Sequence, residues 1–342
     1  MEKTPRSLGF AMPAEWSPHA ATWTAWPFDD EKWVGWLEPV RREFAAFVNT
    51  LAQFEPVHLV VADEESERDA GARLKGNITL HRIPHNDLWL RDSGAIFVTD
   101  REGRVAPVNW VFNGWGNKYD ADLDDQMPLH MARYLGASSF DAGIVMEGGS
   151  LEVNGLGVCL TTRQCLLSPE RNPQLDEEGI EDYLYKYLGV DNLIWLNQGM
   201  EGDHTDGHID TISRFTSEDT IVTAVCEDES DANHRVLQEN LETLRSLGGF
   251  RVATLPIPKN PLWLDAETRL PPTYANFYIA NGAVLVPTYG DPNDALALEI
   301  LRPLFPGRQV IGLSSRALIT GGGSFHCVTQ QQPAGEIWRG EG

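Results

Sequence analysis

The sequence predicts an α/β fold in which five similar strand–helix–strand units close into one pseudo-symmetric domain over residues 1–342. Apolar residues recur at three- and four-residue steps in five segments, which is the spacing of a helix with one buried face. A short apolar strand precedes and follows each segment, and glycine stands just past the end of three of them. Repetition of one unit along a chain of this length favours a closed arrangement.

The first predicted helix has the clearest apolar face, and the last begins at Asp291-Pro292-Asn293, a cap followed by proline in the first turn. The five helical segments cover residues 33–51, 120–135, 180–188, 236–247 and 291–304. The strands before them cover residues 20–26, 94–98, 157–161, 220–225 and 282–287. The strands after them cover residues 57–61, 142–146, 193–196, 252–257 and 309–313, with an extra strand near 78–83. A doubly wound parallel sheet is the competing architecture, but it usually has a Gly-rich loop where this chain has Trp26-Pro27-Phe28.

Charge and composition narrow the class of protein. The chain carries 27 basic and 50 acidic residues, a net charge of −23, which argues against nucleic acid as a partner and favours a cationic ligand. No apolar run approaches the roughly 20 residues that cross a bilayer, and the first seven residues lack the apolar stretch of a signal peptide. The four cysteines form no CxxC pair, so reduced thiols and a cytoplasmic location are expected.

Polar clusters follow the second strand of successive units, where a cleft would form. They cover residues 87–94, 147–150, 206–210 and 321–327. Repeated units that direct polar side chains toward one centre would build a single site.

Cys327 follows three glycines and is a candidate nucleophile. Gly322 and Gly323 would let the backbone approach a ligand closely, and a thiolate after such a loop can be both accessible and activated. The alternative is a buried structural cysteine at the start of a strand, which is the favoured interpretation for the other three cysteines, in apolar strands.

His208 and Asp210 are two residues apart, so in an extended segment they face the same side. This pairs a general acid/base with a carboxylate, although a hydrogen-bonded loop histidine has the same pattern. His204 and His208 also have the spacing of a zinc helix, but Gly207 lies between them and the HExxH glutamate is absent. We therefore expect no metal.

Asp92 and Glu147 stand next to or near glycines, where a carboxylate can face a ligand or simply cap a turn. Trp89 could form an apolar wall of the pocket, or belong to the core. Three carboxylates with one histidine and one cysteine suggest a positively charged substrate, and a guanidinium is matched by carboxylates that accept its N–H groups in pairs. We assign no chemistry to Arg91, and we leave out His326 because it would point to the face opposite Cys327.

The chain resembles the agmatine deiminase family and its close relatives, the Porphyromonas-type peptidylarginine deiminases. The shared motifs are Met12-Pro13-Ala14-Glu15-Trp16, Trp89-Leu90-Arg91-Asp92, Phe112-Asn113-Gly114-Trp115-Gly116, Glu147-Gly148-Gly149-Ser150, Arg171-Asn172-Pro173, Gly207-His208-Ile209-Asp210, Tyr274-Ala275-Asn276-Phe277-Tyr278 and Gly321-Gly322-Gly323-Ser324-Phe325-His326-Cys327. The resemblance covers nearly the whole chain. It implies the five-bladed α/β propeller (pentein fold) of the guanidine-modifying superfamily.

The resemblance also implies roles, with no cofactor. Cys327 matches the nucleophile, His208 the general acid/base, and Asp92 and Asp210 the guanidinium-binding carboxylates, while Glu147 positions the histidine and the substrate. The implied reaction converts agmatine to N-carbamoylputrescine and ammonia, and the implied assembly is a homo-oligomer, a dimer.

Two departures from the family pattern bear on the substrate. The family commonly has Asn-Ile where this chain has Ser324-Phe325, and often an acidic residue, Thr and Asn where this chain has His204-Thr205-Asp206. Both could reshape the distal end of the pocket, where Asp203 or Asp206 could bind an amine. A peptidylarginine or free-arginine deiminase, an amidinotransferase and a non-catalytic binder of cationic metabolites therefore stay as alternatives.

Overall fold

Five small sheets make up the fold, as a computed structural model that describes residues 3–340 shows. The strands are β1 (His19–Ala25), β2 (Val57–Val61), β3 (Ile78–Arg82), β4 (Ile96–Thr99), β5 (Arg104–Val111), β6 (Phe140–Val145), β7 (Glu152–Val153), β8 (Val158–Thr162), β9 (Asn192–Leu196), β10 (Ser213–Ser217), β11 (Thr220–Val225), β12 (Arg251–Pro256), β13 (Tyr278–Ile279), β14 (Ala283–Thr288), β15 (Gln309–Ser314), β16 (Gln330–Pro333) and β17 (Glu336–Ile337). The α-helices are α1 (Leu37–Leu51), α2 (Glu64–Arg73), α3 (Leu90–Ser93), α4 (Gly114–Asn117), α5 (Met127–Leu135), α6 (Arg163–Leu166), α7 (Glu177–Leu188), α8 (Ala232–Ser246) and α9 (Asp294–Leu301).

Each sheet contains the same three-strand blade, in which one antiparallel pairing precedes one parallel pairing. The blades are β16-β1-β2, β4-β5-β6, β7-β8-β9, β10-β11-β12 and β13-β14-β15. Helices α1, α5, α7, α8 and α9 connect the two parallel strands of their blades, because parallel neighbours require a crossover connection. This arrangement confirms the predicted five-bladed α/β propeller.

The predicted second unit was wrong in one respect. The predicted strand at 94–98 corresponds to β4, which pairs antiparallel with β5, and β5 is the strand that runs parallel to β6. Sequence reading missed β5, whose apolar run is interrupted by Pro107 and Asn109. It also missed α2, because only Ser66 and Ala70 of that helix are buried and no apolar face marks it.

The last described strands close the ring. Strand β16 pairs antiparallel with β1, with Gln330 opposite Trp23, so the C-terminal segment completes the first blade. Just before β16, the ring of Phe325 stacks on Phe47 of α1 at a centroid distance of 4.5 Å. Full burial of a phenylalanine stabilises a fold by about 1.5–3 kcal/mol, so this contact anchors the loop that carries Cys327. Within residues 3–340, no helix combines the length and the apolar character needed to span a membrane.

Candidate active site

The segment that leads into the antiparallel strand of each blade delivers the candidate site residues. Asp92 precedes β4, Glu147 precedes β7, His208 and Asp210 precede β10, and Cys327 precedes β16. All five side chains are buried. The structure therefore brings together the five residues that the sequence singled out as catalytic, at equivalent positions of four blades.

The remaining blade contributes Asn276, which the sequence analysis did not select. Asn276 precedes β13 and places its side-chain Nδ2 3.1 Å from the Sγ of Cys327. Its Oδ1 accepts hydrogen bonds from the backbone N–H groups of His326 and Cys327, at 3.2 and 3.3 Å. The fivefold repeat could have indicated Asn276. Polar site residues follow strands β3, β6, β9 and β15, so the same pattern predicts one after β12.

The glycines before Cys327 are required by close packing. A Cβ on Gly323 would lie 2.6 Å from the ring of Trp89 and 3.1 Å from the Sγ of Cys327. A Cβ on Gly321 would lie 2.3 Å from the ring of Trp33. Real Cβ atoms do not approach other atoms so closely, and Gly322 has φ +95°, a conformation that other residues rarely adopt. The loop can therefore lie against the two indole rings only with glycine at these positions.

Asp92 is held by two donors, one on each carboxylate oxygen. The backbone N–H of Gly149 donates to Oδ1 and the indole Nε1 of Trp115 donates to Oδ2, both at 2.9 Å. Trp115 has φ 57°, which is uncommon for a residue other than glycine, and such strain concentrates at functional sites. The Asn113-Gly114-Trp115-Gly116 motif thus serves to aim the indole N–H at Asp92.

His208 lies between two carboxylates. Its Nε2 is 3.3 Å from Glu147 Oε2, and its Nδ1 is 3.6 Å from Asp92 Oδ1, which is too long for a hydrogen bond. The Nδ1 of His208 and the Oδ1 of Asp210 are buried without a hydrogen-bond partner. Buried polar atoms are almost always satisfied, so these two atoms mark the place where a polar ligand would complete the site.

Arg171 holds the carboxylate group of Glu147 in place through hydrogen bonds. Its Nε donates to Oε1 and Oε2 of Glu147 at 2.9 and 2.8 Å, and its Nη1 donates to Asp206 at 2.9 Å. Asp206 also pairs with Lys118, and Asp203 accepts hydrogen bonds from its own loop. Neither carboxylate lines the cavity, and each already has hydrogen-bond partners, so the structure gives no support to the expectation that one of them binds a distal amine.

A second buried layer supports Asp210. The Oδ2 of Asp210 lies 3.5 Å from the Sγ of Cys327 and 2.7 Å from Nδ1 of His326. The Nε2 of His326 lies 2.7 Å from Glu15 Oε2, which also accepts from Arg214 at 2.9 Å. His326 does not line the cavity, and it holds Asp210 in place from the buried side. The expected strand alternation is not the reason, because His326 and Cys327 lie in a turn and both approach Oδ2 of Asp210.

Burial and charge shift the acid–base properties of these groups in different directions. Burial raises the pKa of Asp92 to about 6, opposed by the charge of His208 and reinforced by Asp210 and Glu147. Burial raises the pKa of the Cys327 thiol well above its ordinary value, and the charges of Asp210 and Asp92 raise it further. Without a bound cation, this thiol is therefore protonated at neutral pH.

The pKa values of His208 and Glu147 are shifted by their charged partners. Burial would lower the pKa of His208, but the charge of Asp92 and hydrogen bonds with Cys165 and Glu147, which accepts from the ring, outweigh burial and raise it well above its ordinary value. Burial would raise the pKa of Glu147, but His208 and Arg171 outweigh burial and lower it. The site therefore contains a protonated histidine next to an ionised glutamate.

A cavity of about 250 Å³ opens onto Cys327 and Asp92. Its remaining lining residues are Lys32, Trp33, Asp87, Trp89, Trp115, Tyr119, His204, Thr205, Thr320, Gly321, Gly322 and Gly323. Trp89 both lines the cavity and belongs to the hydrophobic core, so the two interpretations hold together. Of the two departures from the family pattern, His204-Thr205 reaches the cavity, whereas Ser324-Phe325 does not, because Phe325 turns into the core.

Glu147, Cys165 and His208 are the described residues whose ligand atoms cluster within 4.8 Å of one another, and His204 does not belong to this group. Glu147 already accepts two hydrogen bonds from the Arg171 guanidinium. A cation in this cluster would compete with that buried positive charge, so the donor set does not fit a metal.

The fold and the site together define an enzyme of the guanidine-modifying superfamily, with a buried thiol, a protonated histidine and carboxylates around one cavity. The family model for Porphyromonas-type peptidyl-arginine deiminases matches residues 11–333, and the chain belongs to this family. A curated relative from Legionella pneumophila is 41% identical over 97% of both chains, and the agmatine deiminase of Ectopseudomonas mendocina is 37% identical over 97% of both. The solved agmatine deiminase of Enterococcus faecalis superposes with a TM-score of 0.93 at 31% identity, covering 97% of this chain and 98% of that one.

Proposed function

We propose that the protein hydrolyses agmatine to N-carbamoylputrescine and ammonia. The observation that carries the proposal is the buried Cys327 thiol, which faces Asp210 and opens onto the same cavity as Asp92. The agmatine deiminase relatives with full-length similarity support the same reaction.

Binding uses the unsatisfied carboxylate of Asp210 together with Asp92. The Oδ1 of Asp210 is a buried acceptor without a partner, and a guanidinium N–H would satisfy it. Charge-assisted hydrogen bonds of this kind stabilise a complex by about 1.5–3 kcal/mol each. The carboxylates thereby fix the central guanidinium carbon in front of the sulfur.

Bound substrate also activates the nucleophile. Burial and the charges of Asp210 and Asp92 raise the pKa of Cys327, and a guanidinium between those carboxylates offsets both charges. The thiol then loses its proton to water in the cavity, and the thiolate attacks the guanidinium carbon. A C–S bond forms as the C=N electron pair moves onto nitrogen. Asn276 Nδ2, 3.1 Å from Sγ, is placed to stabilise the sulfur anion.

His208 serves as the acid and then as the base. The protonated ring donates its proton to the departing nitrogen, the C–N bond breaks, and ammonia leaves an amidino adduct on Cys327. The neutral ring then takes a proton from a water molecule, which adds to the adduct carbon. The C–S bond then breaks as the hydroxyl proton of the adduct passes to water, which restores the thiolate and releases the neutral ureido product. Glu147, 3.3 Å from Nε2, keeps the ring oriented and stabilises its charged form.

Arginine, in a peptide or free, is the main competing substrate, because the family model is named for a peptidyl-arginine deiminase. The α-carboxylate of arginine would need a cationic clamp. Among the lining residues, Lys32 and His204 are the basic side chains, and Lys32 lies 3.6 Å from Asp87, which offsets its charge. This arrangement supports agmatine, which lacks the carboxylate.

A parallel assay of ammonia release from agmatine, arginine and an arginyl peptide tests the assignment. Agmatine should give the highest kcat/KM, and Cys327→Ser should abolish ammonia release while Cys226→Ser, a partly exposed thiol away from the cavity, leaves it unchanged. A higher kcat/KM for arginine or for the peptide would overturn the substrate assignment. Ammonia release by the Cys327→Ser variant at the wild-type rate would overturn the mechanism.

We further propose a single cytoplasmic catalytic domain that works as a homodimer. The contribution of all five blades to one site supports the single domain, and four free cysteines support a reducing compartment. A single cooperative melting transition and the mass in solution test the domain and the dimer.

A further inference from the structure

The cavity has a second carboxylate, Asp87, that the proposed reaction does not use. Among the lining residues, Asp92 and Asp87 are the acidic side chains, and Asp92 already binds Trp115 and Gly149 at the catalytic end. Side-chain exposure rises from 3% at Asp92 to 19% at Asp87 and 33% at Lys32. Asp87 therefore lies between the buried reaction centre and the mouth.

The main chain around Asp87 is held in a fixed geometry. Asp124 accepts the backbone N–H of Asn86 at 2.7 Å and that of Asp87 at 3.1 Å. One oxygen of Asp87, Oδ1, accepts the backbone N–H of Leu88 at 2.8 Å. The other oxygen, Oδ2, is 3.6 Å from the Nζ of Lys32, beyond hydrogen-bond distance. Asp87 is thus a carboxylate held in the cavity wall, where it already interacts with the side chains of Lys32 and Trp89.

Lys32 is the cation that faces this acceptor. Its Nζ donates to the backbone carbonyl of Asn86 at 2.6 Å, so Lys32 has an anchor that does not depend on Asp87. A second ammonium group at Asp87 Oδ2 would share the carboxylate with Lys32. The positive charge of Lys32 would repel that group. Trp33 and Trp89 line the same cavity as Asp87 and Cys327, and their indole rings suit an alkyl chain.

We propose that Asp87 binds the distal ammonium group of the substrate and that Lys32 competes with it for the same carboxylate. This inference rests on the proposed function, in which the guanidinium end occupies Asp92 and Asp210. It explains how an amine can be selected although Asp203 and Asp206 lie outside the cavity. Lys32 then limits affinity, because part of the charge of Asp87 is already compensated.

Two substrates and three variants test the proposal. Agmatine and n-butylguanidine share the guanidinium and the four-carbon chain, but n-butylguanidine lacks the amine. The variants are Asp87→Asn, which preserves the Oδ1 acceptor, Lys32→Met, and the control Asp120→Asn. Asp120 is exposed and lines a neighbouring surface cavity that also includes Lys32. Asp120→Asn therefore removes one negative charge near Lys32, as Asp87→Asn does, but leaves the lining of the substrate cavity unchanged.

For agmatine, Asp87→Asn should raise KM by about 10- to 100-fold with kcat within about threefold, the loss expected for one charge-assisted hydrogen bond. Lys32→Met should lower the KM for agmatine by about two- to fivefold. Neither variant should change kcat/KM for n-butylguanidine, and Asp120→Asn should change neither substrate.

An equal loss on both substrates in Asp87→Asn, or an unchanged KM for agmatine, would overturn the inference. Loss of arginine turnover in Lys32→Met, with agmatine unaffected, would overturn it in favour of a carboxylate clamp at Lys32. Failure of the wild-type enzyme to release ammonia from either guanidine would instead refute the proposed function, so the two failures are distinguishable.

Discussion

Substitution of Gly149 by alanine tests how tightly the three ionic groups are packed. An alanine Cβ would lie 2.5 Å from His208 Nδ1, 2.7 Å from Asp92 Oδ1 and 3.1 Å from Asp210 Oδ2. Ordinary contacts begin at 3.4 Å, so the shortfalls are about 0.9, 0.7 and 0.3 Å. Gly149 has no positive φ, so the conflict is one of space and not of backbone conformation.

A displacement of about 1 Å of catalytic groups costs about 100-fold in rate, so we expect kcat/KM for agmatine to fall by about that factor in Gly149→Ala. The assay is ammonia release under saturating and subsaturating agmatine, with the melting temperature measured in parallel. Most of the loss should lie in kcat, because the moved groups include the acid/base His208.

Gly71→Ala is the matched control. Gly71 lies inside α2, and a Cβ there meets nothing within 4 Å. Alanine in a helix interior is favoured over glycine by up to about 1 kcal/mol, so this variant should keep full activity and melt at a slightly higher temperature. Activity of Gly149→Ala within about threefold of wild type would refute the packing argument. An equal loss in Gly71→Ala would do the same, because it would show that any added methyl group is damaging.

Three further predictions follow from the same contacts. The kcat/KM for agmatine should fall as pH drops through about 6, because protonation of Asp92 removes the charge that binds the guanidinium; a rate independent of pH between about 5 and 7 would contradict this. Arg171→Met should destabilise the fold by about 3–5 kcal/mol in urea unfolding, because it leaves Glu147 charged and buried without its partner, and an unchanged midpoint would show that the pair is dispensable. Trp115→Phe should lower kcat/KM by about 3- to 15-fold through loss of one hydrogen bond to Asp92 while the cavity wall is preserved, and wild-type kinetics would count against that bond.

Much of the fold could be predicted because each blade repeats one local pattern. The ends of the helices with a buried apolar face were found within about four residues, except that α5 begins at Met127 and not near residue 120. Helix α1 has the apolar face and α7 the glycine stop that local physics requires. Apart from β4, the antiparallel strands could not be found in the same way. Strands β7 and β13 are two residues long, too short for any alternation to appear.

The candidate site was predictable where residue type alone indicates chemistry, as for Cys327 and His208. It was not predictable where function depends on a partner distant in sequence. Glu15 reaches His326 across 311 residues, and an asparagine such as Asn276 carries no charge that marks it as functional. The partners of Asp206 were not predictable for the same reason, because Arg171 and Lys118, which both bind it, are distant from it in the sequence.

The central claim is a covalent amidino adduct on Cys327, and mass spectrometry of acid-quenched enzyme during agmatine turnover tests it directly. The intact protein should gain the mass of agmatine minus ammonia, and fragmentation should place the added mass on Cys327 rather than on Cys159, Cys165 or Cys226. The adduct should be absent from Cys327→Ser. Steady ammonia release with no adduct at any quench time, or with an adduct on another residue, would contradict the account.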